Sequence, residues 1–271
     1  MSKVRVRRHI RRRPKESVVY RGTEFGTKIS DTELRELGGA YTKQVGLLHG
    51  KRVIVKPAVS GAGGAYLSEV MADTIDNLLG WNIVPPTVGR TFSPKHHWFK
   101  HTDPNDWSET SIQEWMRGTT TLSEYIKKTK KLGDWGREFD AVLGEFIESQ
   151  KGVFQRIIAL DIIIGNTDRH TANVIVSSKG KVWAIDNANS FPSWKYFWPY
   201  NRTLYNYVKG PIAPDILRDL SDLEEGDLRA AVAPAGPGAV EGAVYRWKKL
   251  LEKKFIPTGE TWKEFFDDED D

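Results

Sequence analysis

One polar run constrains this chain more than any other feature. Gly165-Asn166-Thr167-Asp168-Arg169-His170-Thr171-Ala172-Asn173 follows a long apolar stretch and precedes two short β-prone runs, Val174–Val176 and Val182–Ile185, around Ser178-Lys179-Gly180. A polar segment between a helical pattern and a hairpin pattern reads as a loop. The hairpin then delivers Asp186, thirteen residues after Asn173. Two carboxylates and an amide are thus carried on adjacent backbone turns.

The flanking patterns divide the chain in two. Tyr41–Leu48 and Arg52–Val55 read as a hairpin around His49-Gly50-Lys51, and Ser60–Gly64 as a loop. Tyr66–Leu79 places Leu67, Val70, Met71, Ile75, Leu78 and Leu79 on one helical face, with Gly80 as its stop. Strands are expected at Val18–Arg21, Thr87–Thr91 and Ser111–Met116, and a short helix at Asp31–Leu37. After Gly118 the texture turns helical: Leu122–Lys130, then Phe139–Ile164 with a break near Gly152, then Asp215–Leu220, Leu223–Val232 and Val240–Phe255. Ala233–Gly238 reads as a linker. The expected fold is α+β and bilobal, a strand-rich lobe over about 17–116 and a helix-rich lobe over about 117–256.

Phosphoryl transfer from a nucleotide requires a particular set of parts. One carboxylate orients the attacking hydroxyl, and an amide or acid plus a second carboxylate hold the divalent metal. A loop of the form D-x-x-x-x-N followed by a hairpin ending in Asp supplies them together.

Asp168-Arg169-His170-x-x-Asn173 followed by Ile185-Asp186 resembles the catalytic and metal-binding loops of the phosphatidylinositol 3-/4-kinase-like superfamily. Atypical kinases of the HipA type share this arrangement. Upstream, Val55-Lys56-Pro57 is similar to the strand carrying the ATP-binding lysine, and Ser68-Glu69-Val70-Met71-Ala72 to the helix carrying its glutamate partner. Leu79-Gly80-Trp81-Asn82-Ile83-Val84-Pro85-Pro86-Thr87, Ser111–Trp115 and Arg202-Thr203-Leu204 also have counterparts there, so the likeness spans about 40–220.

The resemblance implies a protein-kinase-like bilobal fold and an ATP-dependent kinase using Mg²⁺ or Mn²⁺. Lys56 would neutralise the α- and β-phosphates with Glu69 holding it, and Asp168 would orient the acceptor hydroxyl. His170 would stabilise the leaving phosphate or relay a proton, Asn173 and Asp186 would bind the metal, and the backbone at Glu114, Trp115 and Met116 would meet the adenine edge. Plainer readings stand beside these. Glu69 could be a surface helix residue, His170 a structural histidine and Gln113 a sheet residue rather than a nucleotide contact. Arg169 reads as structural, paired to a nearby carboxylate.

Two departures stand out. No G-x-G-x-x-G lies upstream of Lys56, and the Val45–Gly50 loop could cover the phosphates instead. Asn187-Ala188 follows Asp186 where Phe-Gly is usual, so regulation by a Phe switch does not carry over.

Charge separates what is arm from what is body. The net charge of +4 and basic pI invite a nucleic-acid reading, but Lys3, Arg5, Arg7, Arg8, Arg11, Arg12, Arg13 and Lys15 supply +8 within the first 15 residues. The last five residues are all acidic, leaving 16–266 near neutral. The expectation is a flexible basic arm over 1–16, able to bind nucleic acid or an acidic surface, and an acidic tail over 257–271. There is no cysteine, so no disulfide or thiolate chemistry. Gly46-x-x-x-Gly50-Lys51-Arg52 is one residue short of a P-loop, His96, His97 and His101 lack metal-ligand spacing, and Asn201-Arg202-Thr203 matters only in a secreted chain. The best apolar run, Ile157–Ile164, is too short to span a membrane and contains Asp161, and no secretory h-region follows the N-terminus, so a cytoplasmic location is expected. Trp194, Tyr196, Phe197, Trp198 and Tyr200 are expected to pack the large lobe or to offer a partner platform.

The reading is a kinase acting on a hydroxyl, most simply a protein Ser or Thr. The alternatives are a non-catalytic scaffold of the same fold with a nucleic-acid-binding arm, a phosphatidylinositol kinase, or an enzyme that transfers AMP.

Overall fold

The computed structural model describes residues 34–40, 43–48, 51–57, 65–92, 108–130, 136–195, 197, 199, 203–258 and 261–266. The basic arm, the Val18–Arg21 strand, the Ser60–Gly64 loop, the three histidines, Arg202 and the five-acid terminus lie outside these residues.

Five antiparallel strands form the first sheet: β1 (Leu34–Ala40), β2 (Lys43–Leu48), β3 (Lys51–Pro57), β4 (Thr87–Phe92) and β5 (Ser108–Glu114), in the order β1-β2-β3-β5-β4. β2 and β3 pair as the expected hairpin, Leu48 opposite Lys51. β1 corrects the short helix expected over Asp31–Leu37. The run before Gly38-Gly39 is too short to sustain a helix alone, and glycine penalises its continuation. Pairing with β2, with a bulge between Glu36 and Gly38, satisfies the backbone instead.

Helix α1 (Ala65–Leu79) lies between β3 and β4 and works on two sides. Tyr66 and Val70 are buried with Val53, Val55 and Ile112 of the sheet, whereas Met71, Ala72, Ile75 and Leu79 belong to the core of the helical lobe. The helix carrying Glu69 therefore joins the lobes.

The second lobe begins with β6 (Thr119–Thr121), α2 (Leu122–Lys130), α3 (Arg137–Ser149) and α4 (Lys151–Ile164). The helical break falls at Gln150, which caps both α3 and α4, slightly before the expected Gly152. From Ile157 to Ile164 every residue of α4 is fully buried, as befits a helix apolar all round. α4 stops at Gly165 in the left-handed conformation, φ 66°. A Cβ there would also lie 2.7 Å from Pro192, so glycine is needed twice over. β7 (Val174–Ser177) and β8 (Val182–Ala184) form the predicted hairpin, and β6 adds a third strand beside β7.

The remaining elements are α5 (Thr203–Val208), β9 (Gly210–Pro211), α6 (Pro214–Ser221), α7 (Glu225–Val232), α8 (Pro237–Lys253), β10 (Phe255–Ile256) and α9 (Trp262–Phe266). The expected linker is mostly structured: Ala233–Ala235 is one 3-10 turn, and Pro237 starts α8, where its missing N–H costs nothing. The large lobe also runs past 256. Trp262, Phe265 and Phe266 are buried in its core, with Trp262 packed edge-on to Phe197 at 5.1 Å. The acidic tail therefore begins after Phe266 rather than at 257. Phe197 packs the lobe as expected, whereas Trp194 is 61% exposed.

α8 also seats the segment that follows Asp186 and Asn187. Gly238 and Gly242 leave room for the Ser193 and Trp194 carbonyls, each 2.8 Å from where a Cβ would stand. One turn further along the same face, buried Arg246 donates from Nε to the Ile163 carbonyl (3.1 Å) and from Nη1 to that of Trp194 (2.9 Å). Burial pulls its pKa down to about 9, so it keeps its charge at neutral pH.

Two acids on α1 fix the turn into β4. Asp76 Oδ2 accepts the Ile83 and Val84 N–H groups at 3.0 and 2.9 Å, and burial still raises its pKa to about 6. Asp73 is pushed to about 7 by burial, opposed by the Thr87 N–H and reinforced by Asp76. An acid with a raised folded pKa binds its proton more tightly folded than unfolded, so this contribution to stability falls as pH rises from about 4 to about 7. Asp73→Asn should remove that slope. The variant should melt several degrees above wild type at pH 8, for up to about 4 kcal/mol, and the gap should close toward pH 4. Melting curves that stay parallel across this range would show that Asp73 is ionised without cost.

Candidate active site

The site forms where β3, α1, the loop after α4 and the end of β8 meet. Lys56 projects from β3 and forms an ion pair with Glu69 Oε1 on α1, and its Nζ lies 3.3 Å from Asp186 Oδ1. Burial opposes the ammonium, but the two carboxylates outweigh it, and the Lys56 pKa lies above its ordinary value. Glu69 is buried, which excludes the surface-residue reading. Asp186 stands at φ 62°, a left-handed conformation that aspartate tolerates better than most residues and that turns the chain sharply off β8.

The loop after α4 is held by its own polar side chains. Asn166 Oδ1 accepts the Asp168 N–H at 2.9 Å, and Asn173 Nδ2 donates to the Asp168 carbonyl at 3.0 Å. Asp168 is half-buried, and its Oδ2 accepts from Asn189 Nδ2 at 3.4 Å. His170 caps the 3-10 turn Thr171–Asn173: its Nδ1 accepts the Ala172 N–H at 3.2 Å, and its Nε2 lies 3.9 Å from Asp168 Oδ1. A capping Nδ1 must be unprotonated, so in the neutral ring Nε2 carries the proton and faces Asp168. The structural and chemical roles of His170 are compatible.

Arg169 holds the loops together. It is fully buried and pairs with the equally buried Asp161 of α4, with Nε 3.0 Å from Oδ2 and Nη2 2.9 Å from Oδ1. Nη1 donates to the Asn173 carbonyl at 2.8 Å and to the Ile185 carbonyl, and Nη2 to Asn187 Oδ1. Burial disfavours the guanidinium, yet Asp161 outweighs it and raises its pKa. One side chain thus holds the Asn173 carbonyl, the carbonyl just before Asp186 and the Asn187 side chain just after it. The expected structural role of Arg169 is what the geometry provides.

Next to this polar centre lies a cavity of about 210 Å³ between the lobes. Ile54 bounds it from the sheet, Ile175 and Ile185 from the large lobe, and Glu114, Trp115 and Met116 at its back. Ile54 is two residues from Lys56 on the same strand face, and Ile185 adjoins Asp186, so the apolar slot opens toward the charged groups. A flat ring between aliphatic side chains, with phosphates directed to Lys56, fits this shape. Of the three connecting residues, Glu114 and Trp115 spend their N–H groups on the Pro86 and Arg52 carbonyls, at 2.9 and 3.1 Å. Among the described residues no backbone carbonyl takes the Met116 N–H, so of the three it is the one left to offer a ring edge a donor. Gln113 is buried and donates to Thr87 Oγ1 at 3.0 Å, as a sheet residue would, and it also lines the slot.

The donor set also suits a hard cation. Asp186 offers carboxylate oxygen, and Asn173, having committed its NH₂, has its oxygen end for ligation. Among the described residues no three His, Cys, Asp or Glu side chains gather to cage a metal. Two protein oxygens suit an ion that arrives with nucleotide phosphates.

Three residues of this centre escape the motif: Asp161, Asn166 and Asn187. Asp161 is visible in sequence as the lone acid in an apolar helix, where burial demands a partner.

A strand-rich lobe, a connecting segment and a helical lobe with paired Lys, Glu and Asp across the cleft define the protein-kinase-like fold class. Residues 63–215 match the family described as phosphatidylinositol 3- and 4-kinase, and the chain belongs to that family. It is a kinase, a phosphotransferase, and its family implies ATP and a divalent metal. Among solved structures, the proinflammatory kinase CtkA of Helicobacter pylori is similar with a TM-score of 0.53 and 14% identity, over 89% of this chain and 99% of that one. The Golgi casein kinase with Mn/ADP bound gives 0.50 and 14%, over 81% and 71%. Such identities speak for the fold alone. No curated protein sequence matches the chain. No helix among the described residues is long and apolar enough to cross a membrane.

Proposed function

We propose that the protein transfers the γ-phosphate of ATP to a hydroxyl group of a protein Ser or Thr. The observation that carries this reading is Lys56 lying between Glu69 and Asp186, one ammonium held by a carboxylate from each side of the cleft. Such an ammonium is positioned for α- and β-phosphates before they arrive, so its electrostatic work costs little reorganisation. Asp168 takes the proton as the acceptor oxygen attacks. The new O–P bond forms as the bond to the β-phosphate oxygen breaks, and ADP leaves. His170, whose Nε2 lies 3.9 Å from Asp168 Oδ1, would hold transferring phosphate oxygens through that N–H. Arg169 touches no substrate and keeps Asp168, Asn173 and Asp186 in register. A divalent cation held by Asn173 and Asp186 would offset the charge that builds on the phosphates.

The acceptor is tested with γ-labelled ATP and Mn²⁺ or Mg²⁺, offered a mixed protein extract in one arm and phosphatidylinositol vesicles in the other. Label on protein Ser or Thr is expected. Label confined to lipid would overturn the protein acceptor and leave the kinase chemistry standing.

A further inference from the structure

Asn187 directly follows Asp186, and nothing in the transfer chemistry above uses it. It is fully buried. Its Oδ1 accepts from Arg169 Nη2, and its Nδ2 donates to Glu69 Oε2 at 3.4 Å. The other oxygen of Glu69 holds Lys56. A continuous polar chain therefore runs from Asp161 on α4 through Arg169, Asn187 and Glu69 to Lys56 on β3. It crosses between the lobes through groups that are buried or nearly so.

We propose that Asn187 is the positioning residue that couples the nucleotide-binding lysine to the catalytic loop. The proposal rests on the reading of Lys56, Glu69 and Asp186 as the phosphate-holding groups. An amide suits this position. Its oxygen faces a guanidinium and its nitrogen a carboxylate, and Asn reaches both at once. A phenylalanine here could pack but could not make either hydrogen bond. Asn187 ties α1 to the loops by hydrogen bonds, so Glu69 is held whether or not nucleotide is present. The expected consequence is a kinase whose lysine–glutamate pair is preassembled and needs no activating rearrangement of α1.

The test separates the two bonds of Asn187. Asn187→Asp keeps the acceptor for Arg169 but sets a carboxylate against Glu69. ATP affinity in the presence of Mg²⁺, measured by calorimetry on the full chain, should fall about 10- to 100-fold, the scale of losing a hydrogen bond to a buried charge. Adding Glu69→Gln to that variant restores a donor–acceptor pair in reverse. The new amide at position 69 can donate to the new carboxylate at position 187 while its oxygen still meets Lys56. The double variant should bind ATP more tightly than Asn187→Asp alone, which a packing role would not produce. Should the Asp variant fail to fold, Asn187→Ala carries the same affinity readout. Wild-type affinity in Asn187→Asp or Asn187→Ala, or no recovery in the double variant, overturns the coupling. If the wild-type chain itself binds no ATP, the underlying reading of the site has failed instead.

Discussion

Asp186→Ala should lower phosphoryl transfer by at least about 100-fold while leaving the melting temperature within a few degrees of wild type. The size follows from what converges on this carboxylate. It is one of the two oxygen ligands proposed for the cation, and it lies 3.3 Å from Lys56 Nζ. Removing it weakens charge neutralisation at the phosphates from two directions at once. The fold should tolerate the change, because Asp186 is only partly buried and the loop's register is set by Arg169 through the Ile185 and Asn173 carbonyls. A turnover assay with γ-labelled ATP beside a thermal melt separates the two effects. Full activity in a folded Asp186→Ala protein would remove Asp186 from the chemistry. Loss of activity together with collapse of the fold would make it a structural residue.

Asp161→Ala should do the reverse and strike the fold first. The Asp161–Arg169 pair is fully buried, and its partners span α4, the catalytic loop and the segment after β8. Removing the carboxylate strands a guanidinium in the interior, a loss of about 3 to 5 kcal/mol. That is a large part of the roughly 5 to 15 kcal/mol that typically holds a domain. The variant should unfold at markedly lower denaturant and show little soluble expression. Replacing both groups, Asp161→Leu with Arg169→Met, should cost less stability than Asp161→Ala, since no charge is left unpaired. It should still be inactive, because nothing then fixes Asp168, Asn173 and Asp186 relative to each other. Equilibrium denaturation of Asp161→Leu, Arg169→Met and the double variant gives the coupling directly. A small, additive loss would mean that the pair contributes no more than two separate contacts.

The contrast between these variants explains which parts of the molecule the sequence discloses. The loop over 165–173, its hairpin and the helix bearing Glu69 are legible because each is encoded locally, by periodicity, turn residues and spacing. β1 is not legible: Leu34–Ala40 becomes a strand only by pairing with β2, and its own residues carry a weak and misleading helical pattern. The two-residue strands β9 and β10, and the burial of α9 past an apparent tail, depend likewise on neighbours far away in the chain. Within the site, the charged groups of the motif are visible one by one, but what joins them is not. That Arg169 would find Asp161 rather than another acid, and that Asn187 would serve both Arg169 and Glu69, depends on the way the chain returns from β8. Asn187 in particular reads in sequence only as a missing Phe.

The central claim is that ATP sits in the cleft beside Met116 with its phosphates at Lys56 and gives up its γ-phosphoryl group. Parallel incubations of the full chain with α-labelled and γ-labelled ATP, each with Mg²⁺ or Mn²⁺ and a protein extract, address it most directly. The account predicts covalent label from γ-labelled ATP alone, lost in Asp168→Ala and Asp186→Ala. Covalent label from α-labelled ATP would mean that AMP is transferred. Label from neither nucleotide, with no metal-dependent ATP binding, would contradict the account and leave a scaffold built on a kinase fold.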